Sequence, residues 1–576
     1  RLLFNETHTA SANRLYRLDE EKQLRFQLGY IHDRTTRQYG SEEIYYFAQD
    51  TVHTATNRHD RLKTDCLNAE VNYEDNTVSR YTRENFSFAG TWKSGVSDIT
   101  GDNAIFQKIK NSQWELKNYF NQLYTKEKYT WGIRSYIRYT HCSASLTVAH
   151  RNLPILFADN MLIANCIYHR NELSSSDNIS ENTYRTVIGQ THESILAEYE
   201  EMNTGNAYTD NALYGMRKIN GVNYQLTGGF CGELSSVKQE NAYSAHSYSF
   251  YTVPRIEWER NDFLFTAATT VRWTHLPKQS YSRFCVSPFF CFRYKFTPRW
   301  KMSLLGSLDE SEGGLKDIYP FRYREDYRTV VKHTGKVPVT VRQLYTCYLE
   351  YKNTIKEFFW TLSASYSHNR YNLITERNYK DGNFYLSSVE RNHSSHSYTL
   401  NTIGSKGIYD WNLKTSLELT LARNKGKQLN EDIVQDYRYD YLCVEPKIVW
   451  APSVFFEAEY KATVSCVGGG IGEDTSLDPL WEVAQRLTLS LEFHDTEFRL
   501  SGEHFYNDLS KNQHLNIWLA DVSLIHKVGK WRFAASAINL FNKEQYRYTL
   551  YSAVQSYTSW IKLRPREFMV SVQYQW

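Results

Sequence analysis

The chain has 576 residues, of which 15% are aromatic, and its 67 basic and 64 acidic side chains leave a net charge of +3. This length allows several ordinary domains or one very large barrel. The near balance of charge, without a clustered basic patch, excludes a typical nucleic-acid binder.

Hydropathy argues against one class of membrane protein and leaves another open. No apolar run reaches the roughly 18 residues that a membrane-spanning helix needs. The mean hydropathy of −0.59 still suits a β-barrel, because half of each strand and nearly all of each loop are polar. The many aromatic residues suit the two aromatic girdles of such a barrel.

The nine cysteines and the start of the chain give information on disulfides, metal sites and export. The cysteines contain no CxxC pair, so they match neither a zinc site nor a disulfide framework, and we expect free, partly buried thiols. The chain starts at Arg1 without a Met or a signal peptide. Because an exported barrel needs a signal, we expect either a mature product or a fragment whose N-terminal part lies elsewhere.

From its start, the chain repeats a hairpin pattern in which a tight turn alternates with a longer polar connection. The tight turns are rich in turn-forming residues and lie at 19–22, 260–262, 297–299, 451–453 and 527–530. The longer connections lie at 34–41, 306–339, 375–383 and 467–480. This asymmetry is typical of outer-membrane barrels, which have short periplasmic turns and long extracellular loops. About eleven hairpins and a final strand predict an all-β, antiparallel transmembrane barrel of about 22 strands.

Residues 142–220 fit this pattern least well. Residues 193–202 have a helical composition and could form a short helix in a long loop, or equally a strand.

The strands between the turns alternate strictly. In 486–493, Leu487, Leu489, Leu491 and Phe493 face one way, and polar residues face the other. In 412–421, the polar face carries Lys414 and Glu418. Charged side chains on that face predict a wet lumen, because the core of a β-sandwich would not accept them unpaired.

The last strand has the same alternation. Its apolar residues are Phe568, Val570, Val572, Tyr574 and Trp576. Such a strand, ending on an aromatic ring, is typical of a barrel with lipid on one side and lumen on the other. An edge strand of a soluble sandwich is the alternative for this stretch alone.

Several motifs resemble a known family. The clearest match is Asn539, Leu540, Phe541 and Asn542, followed by residues 543–546, which are similar to the box that marks the penultimate strand of TonB-dependent outer-membrane receptors of the Bacteroidota type. Further similar segments are 3–5 with 7–8, 314–320, 502–507 and 563–568.

The resemblance implies a fold, a location and partners. It implies that residues 1–576 form the barrel domain in the cell outer membrane, and that a plug with its TonB box lies upstream. The implied partners are membrane lipid, the barrel-assembly machinery, TonB through the upstream region, and a surface lipoprotein or other outer-membrane subunits. The alternating residues from Phe568 to Trp576 resemble the signal that the assembly machinery reads by strand addition; simple lipid-facing packing is compatible with this role.

Other candidate motifs favour plain structural interpretations. Carboxylates at 309–312 could bind a cation, but their spacing matches no calcium loop, so we expect a solvated external loop. The glycines of 468–472 lack the lysine of a phosphate loop, so we expect a flexible external loop. His494 and His504 lie on strand-like stretches and are interpreted as lumen or interface residues. No GxSxG elbow, HExxH spacing or other catalytic pattern occurs, so we expect no enzyme and no cofactor.

The sequence leaves the function between three hypotheses. The first is a TonB-dependent receptor that imports a nutrient such as a siderophore, a glycan or a peptide. The second is a receptor-like barrel that serves as a non-transporting structural subunit of a larger complex, and the third is a diffusive porin. Ligand contacts, where they exist, are expected on Tyr- and Asn-bearing external loops such as 319–327 and 377–383.

Overall fold

The computed structural model describes ten segments of the chain: 4–46, 51–101, 105–150, 197–238, 242–324, 329–380, 383–472, 475–510, 513–551 and 555–574. The described residues form one β-sheet and three short 3-10 helices, η1 (Pro277–Gln279), η2 (Leu315–Ile318) and η3 (Tyr409–Trp411). No helix in these segments is long and apolar enough to cross a membrane.

The described residues contain 27 strands, which follow one another as hairpins along the chain. In order from β1 to β27 they are Phe4–Arg17, Lys22–Tyr46, Thr51–Asn76, Arg80–Gly101, Ile105–Lys126, Tyr129–His150, Ala197–Ile219, Val222–Lys238, Ala242–Arg260, Phe263–Leu276, Tyr281–Lys295, Trp300–Glu312, Arg322–Arg324, Thr329–Lys332, Val339–Asn353, Phe358–Lys380, Asn383–Ile408, Leu413–Asn430, Ile433–Ser453, Phe456–Ile471, Thr475–Phe493, Thr496–Ser510, Gln513–Val528, Trp531–Ile538, Gln545–Tyr551, Gln555–Lys562 and Glu567–Tyr574.

One antiparallel ladder joins the long strands. It runs from β1 to β12, passes directly to β15, continues to β24 and ends on β27. The remaining strands belong to two excursions, β13–β14 between β12 and β15, and the β25–β26 hairpin between β24 and β27. The predicted antiparallel barrel of hairpins is therefore confirmed.

The β25–β26 hairpin closes the barrel at its upper end, which is the end that carries the long connections. β26 pairs with the upper part of β2, from Tyr39 to Tyr45, and β25 lies beside β22, where the Thr549 backbone N–H donates to Asn507 Oδ1 at 3.1 Å. β24 and β25 form one interrupted strand, and β26 and β27 form another. Counted in this way and without β1, the described residues contribute 22 strands to the ring.

Strand β18 shows how the two faces of the wall differ. Leu417 and Leu421 are 51% and 40% exposed on the outer face. Glu418 and Thr420 lie on the other face, where the Asn401 amide donates to Glu418 Oε1 at 2.7 Å and to Thr420 Oγ1 at 2.9 Å. A continuous exposed apolar surface of this kind needs lipid rather than water around it.

Two groups of aromatic side chains lie at the two edges of this apolar belt. At the end of the tight turns, the Trp300 ring lies 4.8 Å from Tyr351 and 5.9 Å from Trp360. At the opposite end, the Tyr366 ring lies 6.5 Å from Tyr345 and 5.0 Å from Tyr398. Aromatic girdles at two heights are expected where a barrel wall meets the two membrane interfaces.

The tight turns are close to where the sequence predicts them. Leu18–Glu21 turns through backbone N–H groups of Glu21 and Lys22 that donate to Asp19 Oδ1 at 3.0 and 2.7 Å. One prediction is wrong in position: β19 continues through the expected turn at 451–453, and the chain reverses at Val454 and Phe455.

Three of the predicted long connections are wrong, because they are strands. Residues 34–41 belong to β2, β16 and β17 include most of 375–383, and β20 and β21 cover most of 467–480. A strand crosses the outer membrane in roughly 9–11 residues, whereas β2 has 25 and β17 has 26. Beyond the membrane both faces of a hairpin are wet, so its sequence loses the apolar alternation that indicates a strand.

The structure describes part of residues 142–220, the region that fits the hairpin pattern least well. Residues 197–202, which could have been helical, begin strand β7, and residues 142–150 end β6. Residues 193–196, with the rest of the connection between β6 and β7, lie outside the described residues.

Candidate functional site: the extracellular mouth

The connection between β12 and β15 folds over the inside of the barrel mouth. It starts with η2, whose first turn is held by the Gly314 backbone N–H donating to Asp317 Oδ2 at 2.8 Å. Its two ends meet where the Gly313 backbone N–H donates to the Pro338 carbonyl at 2.7 Å. We call residues 313–338 the mouth loop.

The mouth loop is anchored on one side by two fully buried side chains. Ile318 is 0% exposed and packs with Ala245, Leu276 and Val337. Tyr319 is 1% exposed and packs with two other buried side chains, Met202 and Val237. Val337 belongs to the mouth loop itself, and the other partners come from the upper ends of β7, β8, β9 and β10.

Tyr243 on β9 joins the two anchors. Its ring meets those of Tyr319 and Phe321 edge to face at 5.4 and 6.1 Å. Lys278 Nζ lies 3.6 Å from the ring centroid, a cation–π contact. Burial raises the pKa of Tyr243, and a hydrogen bond from Gln279 at 3.0 Å opposes that shift. The ring is therefore held as a neutral phenol that accepts from an amide.

On the other side, the mouth loop is attached to β16 and β17. Strand β14 pairs in parallel with Phe384–Ser387 of β17. A register shift in β16 next to Asn372 turns this amide toward the loop, where it donates to the Val337 carbonyl at 2.9 Å and accepts from the Val339 N–H at 2.7 Å. His333 bridges Tyr323 Oη and Ser388 Oγ, each at 3.2 Å.

The strand tips also meet across the mouth. The Tyr45 ring, on β2, lies 4.3 Å from the Phe384 ring on β17, and the Arg377 guanidinium lies 5.8 Å from the centroid of Tyr45. In the ladder, β2 and β17 lie on roughly opposite sides of the barrel. The mouth is thus spanned by aromatic and cationic contacts between distant strands.

The two predicted ligand-contact segments are both in this region, but the first begins with a buried residue. Tyr319 is buried against the wall, so it is not available for stacking on a ligand. Residues 325–327 of the first segment and 381–382 of the second lie outside the described residues. The sequence did not indicate Tyr45 or Lys278, because neither lies in a recognisable motif.

The polar wall below the mouth carries a second network. On the luminal side of β6, β7 and β9, Tyr251 Oη donates to Asp210 Oδ1 at 2.7 Å, and Arg134 lies 3.5 Å from Asp210 and 3.3 Å from Tyr251 Oη. Such fixed charges line the path that any solute or plug would contact.

The motif at Asn539 determines how the penultimate strand changes course. Asn539 is 0% exposed and has a φ of 54°. Its amide donates to the carbonyls of Lys543 and Arg564 at 2.9 and 2.8 Å, and its Oδ1 accepts from the Lys543 N–H at 2.9 Å. Asn539 therefore joins the interruption after β24 to the one before β27.

The other motif residues complete this junction. The Leu540 N–H donates to the Ala520 carbonyl at 2.8 Å, and Asn542 Oδ1 accepts from the Arg566 N–H at 2.9 Å. Phe541 is 57% exposed. The box thus has a structural role that its position in the chain alone does not reveal.

The alternating closing strand lies at the edge of the ladder. Phe568, Val570, Val572 and Tyr574 are 76%, 81%, 55% and 38% exposed, and β27 pairs with β24. Trp576 lies outside the described residues. Recognition of this strand by the assembly machinery stays a prediction.

Two other singled-out segments are strands rather than loops. Glu310 and Glu312 end β12; Arg283 Nε donates to Glu310 Oε1 at 2.6 Å and Arg272 Nη2 to Glu312 Oε2 at 2.5 Å. The expected solvated loop at 309–312 is therefore wrong. The glycines at 468–470 lie in β20, so the expected flexible loop is wrong as well.

The histidines and cysteines were candidates for a metal or interface site, and the structure gives their positions. His504 shares the outer face with Trp518, 4.2 Å away between ring centroids, whereas His494 lies in a tight turn with a φ of 51°. None of the eight described cysteines forms a disulfide. Among the described residues, no group of three His, Cys, Asp or Glu side chains is placed to hold a metal ion.

Comparison with known proteins supports the architecture. No family model matches the sequence, and no curated protein matches it significantly. Among solved structures, the outer membrane transporter YddB from Escherichia coli is 10% identical, with 99% of this chain and 75% of that one covered and a TM-score of 0.50. The copper transporter OprC is 7% identical (98% and 83% covered, TM-score 0.45), and the siderophore receptor PirA from Pseudomonas aeruginosa is 11% identical (92% and 86%, TM-score 0.40).

The likeness to YddB shows the fold, that of a large outer-membrane β-barrel. With the lipid-facing belt between two aromatic girdles, it places the chain in an outer membrane.

Proposed function

We propose that this chain is the barrel of a TonB-dependent receptor, of the Bacteroidota type, that imports a nutrient of the siderophore, glycan or peptide class into the periplasm. The observation that supports this proposal most is a wide ring of strands whose mouth is crossed by contacts between distant strands. A ring of 22 strands encloses a lumen that its own wall side chains do not fill, so a receptor that is not an open pore needs a further element to block it. A plug domain upstream of residue 1 is the proposed element, and residues 1–576 are the proposed barrel domain.

The mouth supports a receptor that captures solute from outside. Its aromatic rings and fixed charges, such as those of Tyr45, Arg377 and Lys278, offer stacking and polar contacts at the extracellular end. TonB, acting through the upstream region, would then rearrange the plug. The barrel-assembly machinery and a surface lipoprotein are further proposed partners.

The structural-subunit hypothesis is favoured by one feature of the same mouth. The mouth loop is pinned on both sides, by Ile318 and Tyr319 to β7–β10 and by β14 to β17. A fixed cover suits a barrel that presents its outer surface to partners and transports nothing.

Uptake separates these functions. The full-length protein in its own host is compared with a strain lacking it and with a strain lacking TonB, using labelled ferric siderophores, oligosaccharides and peptides in turn. We expect uptake of one class, lost in both deletion strains. Normal uptake of all three classes in both deletion strains would support the structural role. Ion conductance of the intact protein in planar bilayers tests the porin hypothesis, and a non-conducting barrel eliminates it.

A further inference from the structure

A groove crosses the outer wall of the barrel just above the apolar belt, on strands β16 to β21. It has a volume of about 950 Å³, and a smaller groove of about 420 Å³ adjoins it toward the extracellular end. Both grooves share Lys425, Arg438 and Gly469 in their lining.

The register of the ladder places the side chains of this groove in rows. The lowest row consists of Leu400, Leu421 and Leu442, which are cross-strand partners on the outer face. The next row contains Arg423 and Asp440. Above these rows, the ladder pairs His396 with Lys425, and Lys425 with Arg438. An apolar floor therefore passes directly into a cationic layer.

Asp440 orients two of the cations. Arg423 Nε donates to Asp440 Oδ1 at 2.5 Å, and Arg438 Nε lies 3.1 Å from Asp440 Oδ2. Their side chains are nonetheless 53% and 50% exposed. Lys425, which has no ion pair among the described residues, is exposed beside them. One carboxylate against three cations leaves this part of the groove with a net positive charge.

Glycine creates the depth of the groove. Gly468 and Gly470, on β20, are the cross-strand partners of Asp440 and Arg438. Without side chains there, the guanidinium groups stand beside an open strip of backbone. A Cβ at Gly468 would meet only ordinary contacts, the nearest at 3.7 Å from Pro479, so the absence of a side chain is not required by packing at that position.

We propose that this groove binds the phosphate headgroup of an anionic lipid in the outward-facing leaflet. Arg423, Lys425 and Arg438 surround the phosphate at headgroup height, where basic side chains attract anionic lipids. Arginine presents a fork of donors that matches phosphate oxygens. The acyl chains follow the apolar row of Leu400, Leu421 and Leu442 downward along the belt. A soluble anion would use the cations but not this apolar floor.

Lipid retention tests the proposal on the full-length protein. The protein is purified in mild detergent, incubated with phosphatidylglycerol or with phosphatidylcholine, and examined by native mass spectrometry for bound lipid. We expect phosphatidylglycerol to be retained in preference to phosphatidylcholine. The triple variant Arg423→Gln, Lys425→Gln, Arg438→Gln should lower its retention at least about tenfold, because three charge contacts are lost. Inorganic phosphate at millimolar concentration should not displace it.

Two further variants separate the groove from general charge effects. Lys414→Gln, Lys447→Gln, Lys461→Gln removes three cations from the opposite, luminal face of the same strands and should leave retention unchanged. Gly468→Leu keeps every charge but fills the groove and should reduce retention. Equal retention by the wild type and the Arg423 triple variant overturns the proposal, as does equal loss in the luminal triple variant. Displacement by inorganic phosphate alone would instead identify a soluble-anion site and also overturn it.

Discussion

At the scale of single residues, Asn539 shows how a short motif acquires physical meaning. Its side chain makes three hydrogen bonds, to Lys543 and Arg564, from a position with no exposed surface. Asparagine tolerates the positive φ of 54° better than most residues. One side chain thus forms hydrogen bonds with backbone groups at the interruptions of two neighbouring strands. The four residues of the motif do not show this role in the sequence.

We predict that Asn539→Ala weakens the junction between β24 and β25. Three hydrogen bonds are lost, and the buried backbone groups that remain each cost about 1–3 kcal/mol without a partner. Urea titration of the barrel in lipid vesicles should show a lower midpoint. Phe541→Ala, which truncates the exposed neighbour, is the matched control and should change little. Equal midpoints for Asn539→Ala and the wild type would contradict the assigned role.

Tyr319 allows a prediction about the mouth loop. Removing a ring that is 1% exposed costs about 3–5 kcal/mol in a well-packed site, so Tyr319→Ala should release the loop from β7–β10. The barrel wall does not depend on this contact and should stay intact. Limited proteolysis of whole cells should cut within residues 313–338 in the variant only. Tyr409→Ala, in an exposed turn at the other end, should leave the digestion pattern unchanged.

At the scale of elements, the sequence predicts strands well where they cross lipid and poorly beyond it. Alternation at Leu487, Leu489 and Leu491 indicates β21, because one face meets lipid and the other meets water. The upper part of β2, at residues 34–41, carries polar side chains on both faces and was expected to be a connection. The mouth contacts were equally hidden, because Tyr45 meets Phe384 only through the closure of the ring.

The assignment of faces can be tested on two neighbouring residues of β21. Leu487 is 44% exposed near the middle of the belt, and Thr488 faces the lumen. We predict that Leu487→Arg destabilises the barrel by about 2–4 kcal/mol, the cost of arginine against lipid at the membrane midplane. Thr488→Arg should cost far less, because its charge reaches water. Folding titrations in vesicles measure both; similar costs for the two variants would refute the face assignment.

At the scale of the whole molecule, one edge of the barrel has two candidate partners. β26 pairs with the upper part of β2, with Ile561 opposite Tyr39, and β1 pairs with the lower part, with Ser11 opposite Gly29. Both β1 and β27 run away from the mouth, so they cannot join each other in an antiparallel ladder. The strand that follows β26 in the chain, β27, is thus a competitor of β1 for the lower edge of β2.

The side chains favour β27 in this competition once lipid is present. If the register of β26 against β2 continues, Val570 lies opposite Tyr30 and Val572 opposite Leu28, with apolar groups on one outer face. With β1 in that place, Arg14 lies opposite Phe26 on the same face. Arginine there costs about 2–4 kcal/mol near the membrane midplane and about 0–1 kcal/mol near the interface.

We therefore predict that β27 replaces β1 against β2 in the membrane and completes the ring of 22 strands over its full height. Gly29→Cys combined with Ser571→Cys places two thiols opposite each other in that arrangement, whereas Gly29→Cys with Ser11→Cys reports the pairing with β1. Directly opposite strand positions are close enough for a disulfide, and a Cβ at Gly29 meets open space. In isolated outer membranes under mild oxidation, peptide mass spectrometry should find the Gly29–Ser571 cross-link in preference to the Gly29–Ser11 one. The reverse preference would show that β1 stays in place and that the seam beside β27 is open in the mature barrel.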